Sequence, residues 1–385
     1  MKILIFGAGS TGRGHLAALL YEHGYRDITF VDKNEKLVDY LQDKRSYTVH
    51  LLGDHERELV VKDFCMLSRK DETRIIDSFL DADLVLTSVI ADNLEDVAEV
   101  IAKAIIEMNT RGVAKSLNVI ACENFDNASS YLKKFVCNRL QKKDREYLDQ
   151  HVGFPDAIIS RVVPLATENP GYITAEDYNE WSVRKEQFAG SDPGIPFIDI
   201  TDSFEAKLER KFWIHNGGHA TVAYAGYLKG YRYIHEAVND TQIAAFAGKV
   251  MDEIGEAIIH KYGFAKDEIA RYKNSLVTRG LISEMKDEIL RVIRNPIRKL
   301  GLTDRLLAPA IYASQNNLPN DYIIKAAVNI TLYDNKADAE SVRMQEIIQN
   351  MGFEYFAADF LGAAKYPAIC GKLIKYRMED GKWIQ

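Results

Sequence analysis

Three side chains suited to carbonyl and alcohol chemistry lie close together in one stretch, residues 202–230: Lys211, Asn216 and His219. A lysine held in a desolvated site beside another positive charge has its ammonium form disfavoured. It is then able to take a proton from an alcohol, or to give one to a carbonyl oxygen in the reverse direction. An asparagine amide can donate to a developing alkoxide, as an oxyanion hole does. A histidine beside them can fix the same oxygen or orient a neighbouring hydroxyl. This chemistry needs no metal. The nine histidines show no metal-ligand spacing, since His215 and His219 lack the glutamate of an HExxH motif. Each residue also has a plainer reading. Lys211 fits a solvated surface lysine, with Lys207 and Arg210 as rivals; Asn216 fits a helix-breaking polar residue; His219 fits a satisfied core histidine. Their grouping behind a nucleotide-binding fingerprint is what favours a site.

The stretch that carries them reads as a long helix. Asp202 and Glu205 have the spacing of a capping box, and Gly230 suits a C-terminal stop. At about 3.6 residues per turn, Asn216 lies about 140° and His219 about 80° round the axis from Lys211, so one face can present all three. Gly217 and Gly218 sit between the last two. Each glycine costs a helix interior about 1 kcal/mol against alanine, which points to a close approach of ligand to the backbone there.

A cofactor for this chemistry is indicated at the N-terminus. Residues 2–6 read as a buried strand, followed by the loop Gly7-Ala8-Gly9-Ser10-Thr11-Gly12-Arg13-Gly14, a helical run over 15–23, a second strand over 28–31, and then Asp32. This is the dinucleotide-binding order, with the acid twenty residues after Gly12. Gly7 permits the tight turn, Gly9 admits a pyrophosphate to the main chain, and Gly12 lets helix and strand pack closely. Ala8, Ser10, Thr11 and Arg13 complete the expected loop contacts. The pyrophosphate meets a helix N-terminus, whose unpaired N–H groups favour anions. Asp32 accepts from the adenine ribose hydroxyls and repels a 2′-phosphate, favouring NAD over NADP; Lys33 weakens that preference.

Residues 47–51 and 58–61 read as a hairpin insertion, 84–89 as a buried parallel strand and 94–108 as an amphipathic helix. The end of the third of these strands, with Ser88 and Val89, is expected over the cofactor. Residues 118–122 form another strand ending at Glu123 and Asn124. Glu123 is expected to meet substrate. Asn124 suits a nicotinamide or substrate contact, and equally the N-cap of the next helix. Residues 158–163 read as the last strand of this half. The Gly/Pro cluster at 190–196 marks a boundary between an NAD-binding domain, 1–193, and an all-helical domain, 194–385. Helices are expected there over 202–229, 240–262, 265–277, 281–294, 303–314, 320–331, 336–350 and 355–364. The fold class is thus an α/β Rossmann-type doubly wound sheet followed by an all-α domain.

Composition is that of an ordinary soluble globular protein. The chain has 385 residues, 47% hydrophobic and 27% charged, with net charge −7. That balance disfavours a general nucleic-acid binder. The four cysteines, Cys65, Cys122, Cys137 and Cys370, form no CxxC pair and read as reduced thiols of a cytoplasmic protein. The apolar run at 3–6 is too short for a signal peptide, and no run approaches the roughly 18 apolar residues of a membrane span.

The sequence resembles the polyol-specific long-chain dehydrogenase/reductase family. The resemblance rests on Lys211-x4-Asn216-x2-His219 and on FGAGSTGRG at 6–14, NVIACEN at 118–124, HVGFPDAIISRVVP at 151–164, IPFIDITD at 195–202, LERKFWIHNGGHA at 208–220 and NPIRKLGLTDRLLAP at 295–309. The chain length suits the family's phosphate-specific members. The resemblance implies NAD-linked interconversion of mannitol 1-phosphate and fructose 6-phosphate by a monomer or homodimer. It further implies Lys211 as general acid/base, with Asn216 and His219 binding and polarising the reacting oxygen. The family usually carries Arg-Phe-x-Asn-Pro after its second long helix; here the stretch reads Arg279-Gly280-Leu281-Ile282-Ser283. That departure leaves the reacting triad intact and bears on the substrate. A sugar-acid reductase of the fructuronate or tagaturonate type, a free-polyol dehydrogenase and a non-catalytic NAD-binding sensor are the alternatives. For a phosphate, Arg279 and the basic cluster Arg294, Arg298, Lys299 and Arg305 are the candidates, because paired guanidinium groups clamp such oxygens.

Overall fold

Residues Lys2–Phe6 (β1) are apolar after the first and buried, as suits a strand covered on both faces. The computed structural model describes residues 1–53, 56–123, 126–164, 169–280, 282 and 285–379. They form two compact units, Met1–Phe204 and Glu205–Gln385.

In the first unit β1 lies within a sheet of six parallel strands among the described residues, joined by Asp27–Asp32 (β2), Cys65–Ser68 (β5), Leu84–Thr87 (β6), Leu117–Ala121 (β7) and Val152–Gly153 (β8). The order is β5-β2-β1-β6-β7-β8. Successive connections therefore run to opposite sides of β1, and the carboxyl ends of β1 and β6 flank the switch point where such sheets take ligands. Alternate residues serve two cores. Ile3, Ile5, Leu84 and Leu86 join Leu16, Leu20, Val38 and Leu41 on one face. Leu4, Phe6, Val85 and Val119 join Phe79, Ile101, Ile105 and Leu132 on the other.

The expected hairpin is present as Ser46–Leu52 (β3) paired antiparallel with Arg57–Lys62 (β4), and Tyr172–Glu176 (β10) adds to it alongside β3. The strand expected at 158–163 is present but ends at Ser160. Ala157–Ser160 (β9) leaves the parallel sheet and pairs antiparallel with Glu180–Arg184 (β11), which also pairs with Asp199–Thr201 (β12). The sixth place is filled by the two residues of β8. There Gly153 lies so close to its surroundings that a Cβ would stand 2.2 Å from Asn118 Oδ1.

The regular secondary structure of the second unit is helical apart from one isolated bridge among the described residues. Its core surrounds Gly217–Leu228, with Thr241–Tyr262 and Asp321–Thr331 packed on it. The first helix opens at Phe204 rather than at Asp202, whose carboxylate accepts from Lys185 Nζ at 2.8 Å. The helix expected over 281–294 is also corrected. Its described part is α-helical only over Ile289–Val292. Ile234 N–H donates to the Asp287 carbonyl and Ile289 N–H to the Arg232 carbonyl, both at 2.9 Å, so this backbone is held in a bridge instead. Left-handed Asn295 (φ +59) then separates it from a new helix, Pro296–Lys299. The short helix Ile234–Asn239 and the terminal one, Pro367–Met378, were not anticipated from sequence.

Candidate active site

The glycine loop is shaped by contacts that forbid side chains. Gly7 has φ +99, and a Cβ there would stand 2.1 Å from the Ser88 carbonyl oxygen; at Gly12 it would stand 2.0 Å from the Gly7 carbonyl oxygen. Gly9 differs, because the space where its Cβ would be is open to 4 Å. Gly9, Ser10 and Thr11 stay partly exposed while Gly7, Ala8 and Gly12 are buried. Asp32 braces the loop: Oδ2 accepts from Ala8 N–H and Oδ1 from Asn34 N–H, each at 2.8 Å. A carboxylate has about four acceptor positions, so this leaves capacity for ribose hydroxyls. Lys33 is drawn aside, with Nζ donating to Asn93 Oδ1 at 2.6 Å. Open space above Gly9, a helix starting at Gly12 and a carboxylate at the end of β2 together fit a dinucleotide.

Arg13, expected among the loop contacts, is buried instead. Its Nε donates to the Ala8 carbonyl at 2.6 Å, its Nη1 donates to the Pro170 carbonyl, and its guanidinium lies 5.5 Å from the Tyr47 ring. It supports the loop from within the unit. Glu123 likewise serves the protein's own chain. Its carboxylate accepts from Thr87 Oγ1 at 3.2 Å, Val89 N–H at 2.8 Å and Ile90 N–H at 3.0 Å. Burial raises its pKa and those bonds oppose the rise. It thereby holds the end of β6, where Ile90 takes φ +72 and leaves 71% of its surface exposed. A β-branched residue in that conformation is strained and needs such a restraint. Ser88 N–H donates to the Phe6 carbonyl at 2.7 Å, and the Val89 carbonyl accepts from Asn93 Nδ2 at 2.6 Å. Asn124 lies outside the described residues.

In the second unit, Lys211 and Asn216 bound one segment of π-helix, Lys211–Asn216, inserted between the α-helices Phe204–Arg210 and Gly217–Leu228. Its i→i+5 bonding brings residues five apart towards one another, where an α-helix would splay them by about 140°. The angle inferred for a uniform α-helix is corrected accordingly. A Cβ on Gly217 would stand 2.9 Å from the Arg305 carbonyl oxygen, and one on Gly218 2.8 Å from Met251 Sδ. The glycine pair is thus explained by helix packing within this unit.

His219 Nε2 lies 3.2 Å from Asp287 Oδ2. His215 is one α-turn behind it, with ring centroids 6.1 Å apart, and Arg279 Nη1 lies 3.5 Å from His215 Nδ1. Burial, then the charge of Arg279 and lesser contributions from His219, Lys211 and Arg305, hold the His215 pKa well below the ordinary histidine value. His215 and Asp287 were missed from sequence. The i, i+4 spacing of His215 from Lys211 and from His219 was a usable signal; Asp287 offered none. Arg305 stacks its guanidinium 5.2 Å from the Phe212 ring and donates from Nε to Asp304 Oδ1 at 2.6 Å.

The remaining basic residues separate. Arg294 and Arg298 are exposed and lie on either side of the break at Asn295. Lys299 is buried, donates to the Arg294 carbonyl, and is pushed down to about 7 by burial, with Arg305 and Arg298 adding. Among the described residues no group of three His, Cys, Asp or Glu side chains converges as a metal site, and no helix is long and apolar enough to cross a membrane.

The family model described as mannitol dehydrogenase Rossmann domain matches residues 1–196, and that of the mannitol dehydrogenase C-terminal domain matches 203–359. The chain is 34% identical over 378 residues to the mannitol-1-phosphate 5-dehydrogenase of Thermoanaerobacter pseudethanolicus, covering 97% of each. Among solved structures it is similar to Pseudomonas fluorescens mannitol 2-dehydrogenase in a ternary complex with NAD and D-mannitol (TM-score 0.76, 18% identity, 100% of this chain and 93% of that one). It is also similar to a substrate-free D-sorbitol dehydrogenase (TM-score 0.77, 16% identity, 100% and 94%). These two share the fold.

Proposed function

The chain belongs to the mannitol dehydrogenase family, and from that premise we propose that it is an NAD-dependent oxidoreductase interconverting mannitol 1-phosphate and fructose 6-phosphate. The observation that carries the reading is the π segment that draws Lys211 and Asn216 together beside His215, His219 and Arg279.

Bound NAD supplies the acceptor for the hydrogen leaving the alcohol carbon. The first unit contributes the loop amides around Gly9, the Asp32 carboxylate for ribose, and the end of β6 held by Glu123. In the oxidation direction, the Lys211 amine takes the hydroxyl proton of the reacting carbon as its C–H bond breaks. In reduction, the Lys211 ammonium returns that proton to the oxygen. The Asn216 amide donates to the same oxygen as charge builds on it. No protein-bound metal enters this scheme, so activity should survive exhaustive chelation.

For the phosphate, Arg279 beside His215 is the primary candidate, with Arg298 as the outlying one. Monomer or homodimer in the cytoplasm is the accompanying proposal.

The test is a substrate panel with purified protein: NADH or NADPH oxidation with fructose 6-phosphate, fructose, fructuronate and tagaturonate. Fructose 6-phosphate with NADH should give the largest kcat/KM. R279A should then raise its KM at least about tenfold and R298A less than about twofold, since a charged contact is worth roughly 1.5–3 kcal/mol. Preference for a hexuronate would replace the substrate assignment, a result to which the altered Gly280-Leu281-Ile282-Ser283 stretch gives a motive. Absence of turnover with NADH bound would favour a sensor.

A further inference from the structure

Asp287 is held by both its backbone and its side chain. It follows Lys286, a left-handed residue at φ +44, and its carbonyl accepts from Ile234 N–H at 2.9 Å beside the Tyr233–Glu288 bridge. Its side chain is 13% exposed, and the two carboxylate oxygens are divided. Oδ1 accepts from Arg291 Nε at 2.9 Å and Nη2 at 2.5 Å, while Oδ2 faces His219 Nε2 at 3.2 Å. Burial alone would raise this carboxyl group's pKa, but the His219 bond and the nearby Arg291 outweigh it and hold the group below its ordinary value. Asp287 is therefore an acceptor only.

We infer that Asp287 is a positioning residue for His219: by accepting Nε2–H it fixes the imidazole in the tautomer whose Nδ1 carries a lone pair. Resting on the function proposed above, this decides between the two roles open to His219. An Nδ1 lone pair accepts a hydrogen bond from a substrate hydroxyl; it does not donate to the carbonyl oxygen. Donation to the reacting oxygen then falls to Lys211 and Asn216, and His219 orients the sugar through a neighbouring hydroxyl.

The division of the oxygens makes the inference testable. In D287N the single amide oxygen is claimed by the two Arg291 donors, so the amide NH2 turns to His219 and forces the opposite tautomer. D287N should therefore lower kcat/KM for fructose 6-phosphate about 100-fold with NADH affinity and melting temperature near wild type. In D287N/R291A the amide oxygen is released to accept Nε2–H, and at least about tenfold of the loss should return. A structural role for Asp287 would not be rescued by removing a second contact. D287N within threefold of wild type, or a double variant no better than the single one, overturns the inference. A readout independent of turnover is the imidazole 15N spectrum of histidine-labelled protein, with the His219 signals assigned by their loss in H219Q. Nδ1 should be the unprotonated nitrogen in wild type and the protonated one in D287N. Wild-type Nδ1 found protonated sinks the inference whether or not any sugar is turned over. The expected tautomers in a protein that turns over no polyol or ketose would uphold Asp287 and defeat only the functional reading.

Discussion

Lys211 and Asn216 are five residues apart, and that interval matches the π segment they bound. Their types, and that of His219, were readable as acid–base and oxyanion groups because carbonyl reduction needs a proton donor and a polarising amide on one side of the carbon. The geometry was not readable, since side-chain pattern does not distinguish a π turn within an α-helix. His215 has the i, i+4 spacing that places side chains on one face, yet histidine at such spacing is as common in cores. Asp287 lies 68 positions beyond His219 and is brought there by tertiary pairing around the Tyr233–Glu288 bridge. At this scale the decisive variant is K211M. It should lower turnover more than about 1,000-fold while leaving NADH binding unchanged, as measured by protein fluorescence quenching, because only the proton carrier is lost. Residual activity within tenfold of wild type would remove Lys211 from its role.

The strand–loop–helix–strand order at the N-terminus was fully legible, because Gly7 and Gly12 leave no room for a Cβ and Asp32 has a fixed place at the end of β2. Elements that depend on remote partners were not. The two residues of β8 carry no periodicity, and β10 joins β3 across more than a hundred residues. Ala157–Ser160 is apolar enough to pass for a parallel strand, and only its antiparallel register with β11 shows otherwise. Glu123 is a case where the element explains the residue: a polar group at the carboxyl end of β7 looks like a ligand contact, yet its oxygens clamp the end of β6. E123Q keeps one acceptor oxygen and turns an NH2 group towards a backbone donor. It should cost about 1–3 kcal/mol of stability in urea unfolding, and should weaken NADH binding more than it lowers kcat. An unchanged dissociation constant for NADH would mean that the end of β6 does not shape the cofactor site.

For the whole molecule, acid stability is set in part by histidines buried without their protons. His15 is fully buried, with Nε2 3.2 Å from Asn179 Oδ1 and its ring edge-on to Trp181. Burial, with the charge of Arg161 adding, pushes its pKa down to about 3. The unfolded chain binds this proton near pH 6.5 and the folded chain does not. The contribution is therefore intact above pH 6.5 and is lost progressively as pH falls towards 3, at about 1.4 kcal/mol per pH unit. His215, also held low, acts in the same direction. Unfolding free energies at pH 7.5 and 5.5 should thus differ by about 1 kcal/mol less in H15Q than in wild type, as that one titration is removed. An equal difference in both would show that His15 is protonated in the folded protein.

The π segment can also be seen as a matter of phase. A π turn holds one more residue than the α turn it replaces, so it acts as a one-residue insertion that the helix absorbs without breaking. Deleting one residue between Lys211 and Asn216 would return the whole run from Phe204 to Leu228 to a single α-helical phase. His219 would then keep its bearing from Lys211 to within about 10–20°, whereas the undeleted residues wound as plain α-helix would turn it by about 90°. Helix content by circular dichroism should be preserved in such a deletion variant. What Lys211–Asn216 encodes is thus a winding as much as a set of side chains, and the same residues wound as plain α-helix would carry them on different bearings.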